Sequence, residues 1–322
     1  MCSTDMKLVF LGYNFLLLPL LWCVTSAIVV GVSTTDARGQ SVQYQRDGCN
    51  LNDSLFSEPS TILGSPTLLS WHSAPKDTSS EPLGPITTDR PDFTEASSTV
   101  GANVAQVEMG YTFAHDDDEG IATGTHSTPE ALFRFGTHIN WLELRLAANL
   151  LQEDIGPASN SGAEDLYLGA KFGLTTQAGM LPEMALVPQM TVPTGGSAFT
   201  NDQVLPGVNW IYGWDVTDCV TTTGSTQFNR AVDSGTGTGY TEWAQSWTVG
   251  YSLHDRVGMY TEWFALLPNG AATAQVEHYC DGGFTFLLSD DIQWDIRAGH
   301  GLNDAADDYF LGTGLSIRFR KR

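Results

Sequence analysis

Eight ionisable residues stand where a chain has no ordinary reason to bury them. Glu108, Arg134, Glu143, Arg145, Lys171, Glu262, Asp295 and Arg297 each lie in a run whose other face is apolar. Acids and bases on one polar face can neutralise each other as ion pairs, or line a water-filled path and set its selectivity. A lead-in motif, Asp89-Arg90-Pro91-Asp92, adds further charge just before the first such run. It reads either as an ordered approach to that run or as a polar plug or lining element. Pro91 forbids a regular helix there.

Hydrolytic chemistry has no visible basis. A nucleophile needs a base beside it, and the chain has no Gly-x-Ser-x-Gly segment. His138 and His254 fall in turns, His115 and His126 in one polar stretch, and His300 near another. None shares an apolar strand face with a serine, so no catalytic residue is assigned and no enzyme is expected. The acidic stretches Asp116–Glu119 and Asp304–Asp308 miss the spacing of a calcium loop, and the cysteines form no CxxC pair. No metal site and no cofactor is therefore expected.

The elements that position these charges repeat every second residue. In the run from Pro129 to Ala147, Ala131, Phe133 and Phe135 alternate with Leu132, Arg134 and Gly136. After a polar turn at Thr137–Asn140, Leu142, Leu144 and Leu146 alternate with Glu143, Arg145 and Ala147. Period two predicts strands, and the turn makes them an antiparallel hairpin. The same pattern predicts strands over 104–113, 166–174, 184–192, 208–215, 220–229, 243–252, 257–265, 278–288, 292–299 and 309–319. The run from Val220 is the least regular, and Pro188 lacks a ladder donor. Long connections alternate with short ones, which puts both ends of the meander on the short-turn side. The long ones include His115–Gly120, Gln152–Ala163 and Leu302–Asp308.

Composition limits the alternatives. Charged residues make up 16% of the 322, against about 25% in typical soluble domains. The hydrophobic fraction is only 42%, too low for a bundle of membrane helices, and 33 glycines suit β structure. A net charge of -22 excludes nucleic acid as a partner, because phosphate contact needs Lys and Arg. Met1 to Ala27 reads as a signal peptide: Lys7, an apolar run from Leu8 to Trp22, then Thr25-Ser26-Ala27, with a second cut site as late as residue 33. Residues 34–85 are polar, lack periodicity and read as a flexible periplasmic tail. Residues 86–322 then form the β domain.

Alternation alone also fits a soluble sandwich. Strands of about ten residues match a tilted membrane span. Long loops on one side, and Trp210, Tyr212, Trp214, Trp243, Trp247, Tyr251 and Trp263 on the apolar face, match a transmembrane barrel. The expected fold is an all-β antiparallel transmembrane barrel of about 12 strands, outer-membrane type. Such a barrel sits in outer-membrane lipid of a diderm bacterium and meets the barrel-assembly machinery. Its terminal Phe319 is followed by Arg-Lys-Arg, a departure from the bare aromatic end that machinery commonly reads.

Several stretches carry a resemblance: Thr88-Asp-Arg-Pro-Asp-Phe-Thr-Glu95, Pro129-Glu130, Leu142-Glu-Leu-Arg145 and Pro188-Gln-Met-Thr-Val-Pro-Thr-Gly195. Ala298-Gly-His-Gly-Leu-Asn303 and Asp308–Phe319 complete the series. In that order they resemble the outer-membrane transporter-like proteins named after the meta-cleavage pathway of phenol degradation. The resemblance implies an outer-membrane barrel with uptake or efflux of small hydrophobic or aromatic solutes. The alternative is a structural or surface-interaction barrel whose lumen is occluded.

Overall fold

The computed structural model describes residues 67–68, 84–118 and 120–320. The signal segment and nearly all of the expected tail lie outside the described residues. Among the described residues the regular elements are all strands. They are β1 (Val104–Asp118), β2 (Ile121–Gly136), β3 (Leu142–Ile155), β4 (Ala158–Ala163), β5 (Leu166–Thr175), β6 (Glu183–Val192) and β7 (Leu205–Thr217). The meander continues through β8 (Val220–Val232), β9 (Gly239–His254), β10 (Val257–Asn269), β11 (Glu277–Ser289), β12 (Ile292–Gly301) and β13 (Tyr309–Arg320).

Apart from β4, which pairs with β3 alone, each strand pairs antiparallel with its neighbours along the chain, and two pairings complete the ring. β1 pairs with β13, and β3 pairs with β2 as well as β5. β4 is a short return strand on the outer half of β3, so the wall has twelve staves. Closure leaves no sheet edge, which is what hydrocarbon requires of a spanning sheet.

The polarity of this wall is inverted relative to a soluble protein. Glu108, Glu143, Lys171 and Asp295 are 0% exposed, whereas Leu144, Leu311 and Phe319 are more than half exposed. Trp210, Trp243 and Trp294 are also exposed. The greasy face points outward and the ionised face is enclosed. Only a lipid exterior makes that arrangement stable, which decides against a sandwich.

The two ends of the meander meet at one rim, since Val104 lies opposite Arg320. That turn rim carries the connections 137–141, 218–219, 255–256 and 290–291. The opposite, loop rim carries 193–204, 233–238, 270–276 and 302–308. Two expected long loops are corrected. The acidic stretch from His115 belongs to the ladder: Asp116, Asp117 and Asp118 pair with Thr123, Ala122 and Ile121. Likewise Leu150–Ile155 pair with Ala163–Ala158. Charge made both stretches look like loops, yet strands prolonged past the membrane into water may carry polar residues on both faces without cost. The irregular run from Val220 is a full strand. Pro188 is accommodated because the β5–β6 register passes from Gly169↔Gln189 to Phe172↔Leu186, leaving the proline unpaired on that side.

At the loop rim two aspartates tie loops down. Asp165 accepts from the amides of Thr194, Gly195 and Asn201 at 2.9–3.1 Å. Asp233 accepts from the Thr273 amide and hydroxyl at 2.7 Å and from the Ala272 amide at 2.8 Å. These donors, the Thr273 amide foremost, hold the Asp233 carboxyl well below the usual carboxylate range.

Phe284 sits outward in the middle of β11. Phe284→Arg is expected to destabilise the barrel in lipid vesicles by about 2–4 kcal/mol. Met180→Arg, in the connection after β5 and 90% exposed, should be nearly neutral. Reversible denaturant unfolding of both variants in vesicles checks this.

Candidate functional site

The enclosed charges organise around a segment that is not part of the wall. Residues 84–103 run through the barrel interior before β1 begins. At the turn rim, Arg318 donates to the Gly84 carbonyl at 2.7 Å, and the Ile86 amide donates to the Asp290 carbonyl at 2.8 Å. Deeper in, Gln106 donates to the Thr87 carbonyl at 2.8 Å and Gln293 to the Thr88 hydroxyl at 2.7 Å.

Asp89 is the centre of this seating. Its carboxylate lies 2.8 Å from Arg145, 2.9 Å from Lys171 and 3.4 Å from Arg134. Its amide donates to Glu108 at 3.0 Å. Arg134 in turn bridges Glu108 at 2.9 Å and Glu143 at 2.8 Å. Arg145 also holds Glu95 at 2.7 Å. Alternation explains the assembly. Arg134 on β2 lies opposite Arg145 on β3, and Glu143 lies opposite Lys171 on β5, so inward positions of three staves converge. Like charges directly opposite repel, and the carboxylates of Asp89, Glu95, Glu108 and Glu143 offset that repulsion.

Arg90 forms a second group. It bonds Glu130 at 2.6 Å and approaches Asp295 at 3.5 Å. Arg297 donates to the Pro91 carbonyl at 2.9 Å and to the Thr112 hydroxyl at 2.8 Å. Gly110 and Gly314 leave room for the Arg90 guanidinium, which a Cβ at either position would displace. Glu130 sits in a bulge between Thr128 and Ala131 with φ 44. A non-glycine residue pays strain for that conformation, and the bulge turns its carboxylate onto Arg90.

Glu262 on β10 anchors the far end of the segment. It accepts from the amides of Phe93 and Thr94 at 2.5 and 2.8 Å. Val100 donates its amide to Glu143 at 2.9 Å.

All eight wall charges thus point inward, seven of them fully buried and Arg297 half-buried. Asp89, Arg90, Pro91 and Asp92 join them inside. Sequence reasoning missed an inward aromatic stack. Phe93 lies parallel to Phe264 at 4.6 Å, Phe264 lies nearly parallel to Tyr279 at 4.7 Å, and Phe310 meets Tyr279 edge-on at 6.1 Å. Arg297 stands 5.4 Å from the centre of the Phe310 ring. The signal was present: Phe264 is two residues from Glu262 and Tyr279 is two from Asp281, so both share the inward parity. Glu130 and Glu95 were also missed as ion-pair partners, although Glu130 shares the inward parity of Arg134 four residues on.

Toward the loop rim two adjoining cavities of about 450 and 310 Å³ share Tyr167, Thr191 and Asn201. Arg90, Glu130 and Arg297 line the larger one. The histidines lie elsewhere. His126 bonds the Tyr111 hydroxyl at 2.8 Å and His138 bonds Asn103 at 2.7 Å, while His254, expected in a turn, is the exposed last residue of β9. No group of three or more metal-ligating side chains occurs among the described residues.

A closed antiparallel barrel of twelve staves, apolar outside and ionised within, defines a transmembrane β-barrel of outer-membrane type. The chain belongs to the family described as "Putative MetA-pathway of phenol degradation", whose profile matches residues 88–319. That span contains both the lead-in motif and the wall charges. Among solved structures, the chain is similar to the COG4313 outer membrane channel from Pseudomonas putida F1. The two are 12% identical, with a TM-score of 0.53 over 69% of this chain and 98% of that one. The translocator domain of the autotransporter NalP from Neisseria meningitidis gives 9% identity and a TM-score of 0.45, over 68% and 89% of the two chains. The CymD monoaromatic hydrocarbon channel gives 10% and 0.37, over 69% and 90%. Curated protein sequences gave no match.

Removing the central carboxylate should unseat the segment. Asp89→Asn leaves Arg134, Arg145 and Lys171 facing one another, and breaking a buried pair of this kind costs about 3–5 kcal/mol. Denaturant unfolding in micelles should show that loss. A thiol placed by Ser98→Cys should react faster with a water-soluble reagent in the Asp89→Asn background. Equal rates would mean that Asp89 does not hold the segment.

Proposed function

We propose that this chain is an outer-membrane channel or transporter for small hydrophobic or aromatic compounds. The observation that carries the reading is how the lumen is filled. A barrel built only as a structural post can pack its interior with wall side chains. Here the wall is notched, by glycines at 110 and 314, to admit a separate length of chain bound through side-chain ion pairs and hydrogen bonds. The ladder that closes the wall does not run through the segment, so the segment is the part of the lumen that a solute can shift. Cavities above it give a solute somewhere to enter.

The family's description, with its reference to phenol degradation, supports an aromatic solute. The barrel likeness to the COG4313 channel supports the architecture such a function needs. In this reading residues 1–27 are the export signal, residues 34–85 a periplasmic tail, and residues 86–322 the pore domain. The turn rim then faces the periplasm and the loop rim faces outward. Outer-membrane lipid and the assembly machinery are the remaining partners.

The second reading is a structural or surface-interaction barrel with a permanently occluded lumen. It is favoured by the completeness of the seating, in which Asp89 alone meets three cations. Flux separates the two. Reconstituted in liposomes, the intact protein is expected to pass a small aromatic alcohol, and an Arg134→Ala, Glu143→Ala variant to pass it several-fold faster. Liposomes that stay sealed with both proteins would leave the occluded barrel as the better account.

A further inference from the structure

The inward aromatic stack has no role in seating the segment's charges. It is a ring-on-ring arrangement in a lumen otherwise governed by ion pairs. Phe264 and Tyr279 are a cross-strand pair on β10 and β11, fixed by register. Tyr279 is further held by its hydroxyl, which donates to Glu277 at 2.8 Å. Phe310 and Ala306 pack against Tyr279 from β13 and the loop before it. One face of the Phe264 ring is therefore backed by rigid wall.

The other face is covered by Phe93, a residue of the inserted segment and not of the wall. The two rings are 4° from parallel. The Phe93 backbone is tied independently, because its amide is bonded to Glu262, as is that of Thr94. The ring can therefore swing away on its own side-chain torsions while the backbone stays seated. Arg297 connects the 450 Å³ cavity to this stack: it lines the cavity and also stands 5.4 Å from the centre of the Phe310 ring. A planar solute in that cavity meets Arg297, and the ring beyond Arg297 is Phe310 of the stack.

We infer that the Phe264 face is a stacking site for planar aromatic solutes, and that the Phe93 ring is its resident, displaceable occupant. This deepens the transport reading and rests on it for the solute's route of arrival. The recognition is that of one flat π face by another, backed by a cation over a neighbouring ring. It selects flat rings over saturated ones of the same size. It also gives the solute a direct contact with the segment that fills the lumen.

The test uses full-length protein in one detergent, titrated calorimetrically with 2-naphthol and with decahydro-2-naphthol, after subtraction of a micelle-only titration. The two probes share a skeleton and a hydroxyl and differ in planarity. Wild type should prefer 2-naphthol. Phe93→Ala vacates the face and should bind 2-naphthol about tenfold more tightly, the scale of one aromatic pair. Adding Phe264→Ala should abolish that gain. Heat-modifiable gel migration confirms that each barrel is closed. Should Phe93→Ala fail to close, Phe264→Leu keeps the volume, removes the ring, and should lose the preference for 2-naphthol. Equal affinity for both probes, or no change on Phe93→Ala in a closed barrel, would overturn the inference. Ring-selective binding without flux in liposomes would uphold the stacking site and sink transport. Flux with no ring selectivity in binding would sink the site alone.

Discussion

Everything inside this barrel depends on how Asp89 is neutralised. Three cations converge on one carboxylate in a space from which bulk water is largely excluded. A lone buried charge of that kind would not remain ionised, because desolvation costs several kcal/mol per ion. The wall cations need Asp89 and Glu95 as much as the segment needs the wall. Arg134 and Arg145 face each other across a strand pair, an arrangement that repels until the inserted carboxylates complete it. The wall and the segment inside it are therefore a single electrostatic unit. Its cost of disassembly is set by a few contacts near 2.8 Å.

The exterior follows a simpler rule. Strand alternation puts one side chain in and the next out, and closure pairs each of the twelve staves on both sides. With ionised residues committed to the interior, the leucines, phenylalanines and tryptophans of the other parity have nowhere to go but lipid. Fold and polarity are consequently one decision, taken at each strand by whether an Arg, Glu or Lys sits among the apolar residues. The bulge at Glu130 departs from regular ladder geometry: at the cost of a left-handed backbone it holds one inward carboxylate on Arg90.

Much of this was legible in the sequence. The twelve staves of the wall were readable from period-two runs, including the inward parity of Arg134, Glu143, Arg145 and Lys171. What escaped had identifiable causes. Asp116–Asp118 and Gln152–Ala163 read as loops because strands that extend into water lose the apolar half of their pattern. The path of residues 84–103 was left open between two readings, since no local pattern tells a lead-in from a plug. Its position is fixed by partners as far away as Lys171 and Glu262. The aromatic stack was hidden for a different reason. Phe264, Tyr279 and Phe310 are apolar residues on the polar face, and a rule that assigns greasy side chains outward passes over them. Only the parity of their charged neighbours places them inside.

The decisive measurement is a spin-label accessibility scan along β8 in lipid vesicles, at Thr226, Gln227, Phe228 and Asn229, far from the ion cage. With the wall oriented as described, labels at Thr226 and Phe228 relax with dissolved oxygen, which concentrates in hydrocarbon. Labels at Gln227 and Asn229 respond instead to a water-soluble nickel chelate or are shielded from both. The opposite alternation, with Phe228 shielded and Gln227 open to lipid, would contradict the whole arrangement.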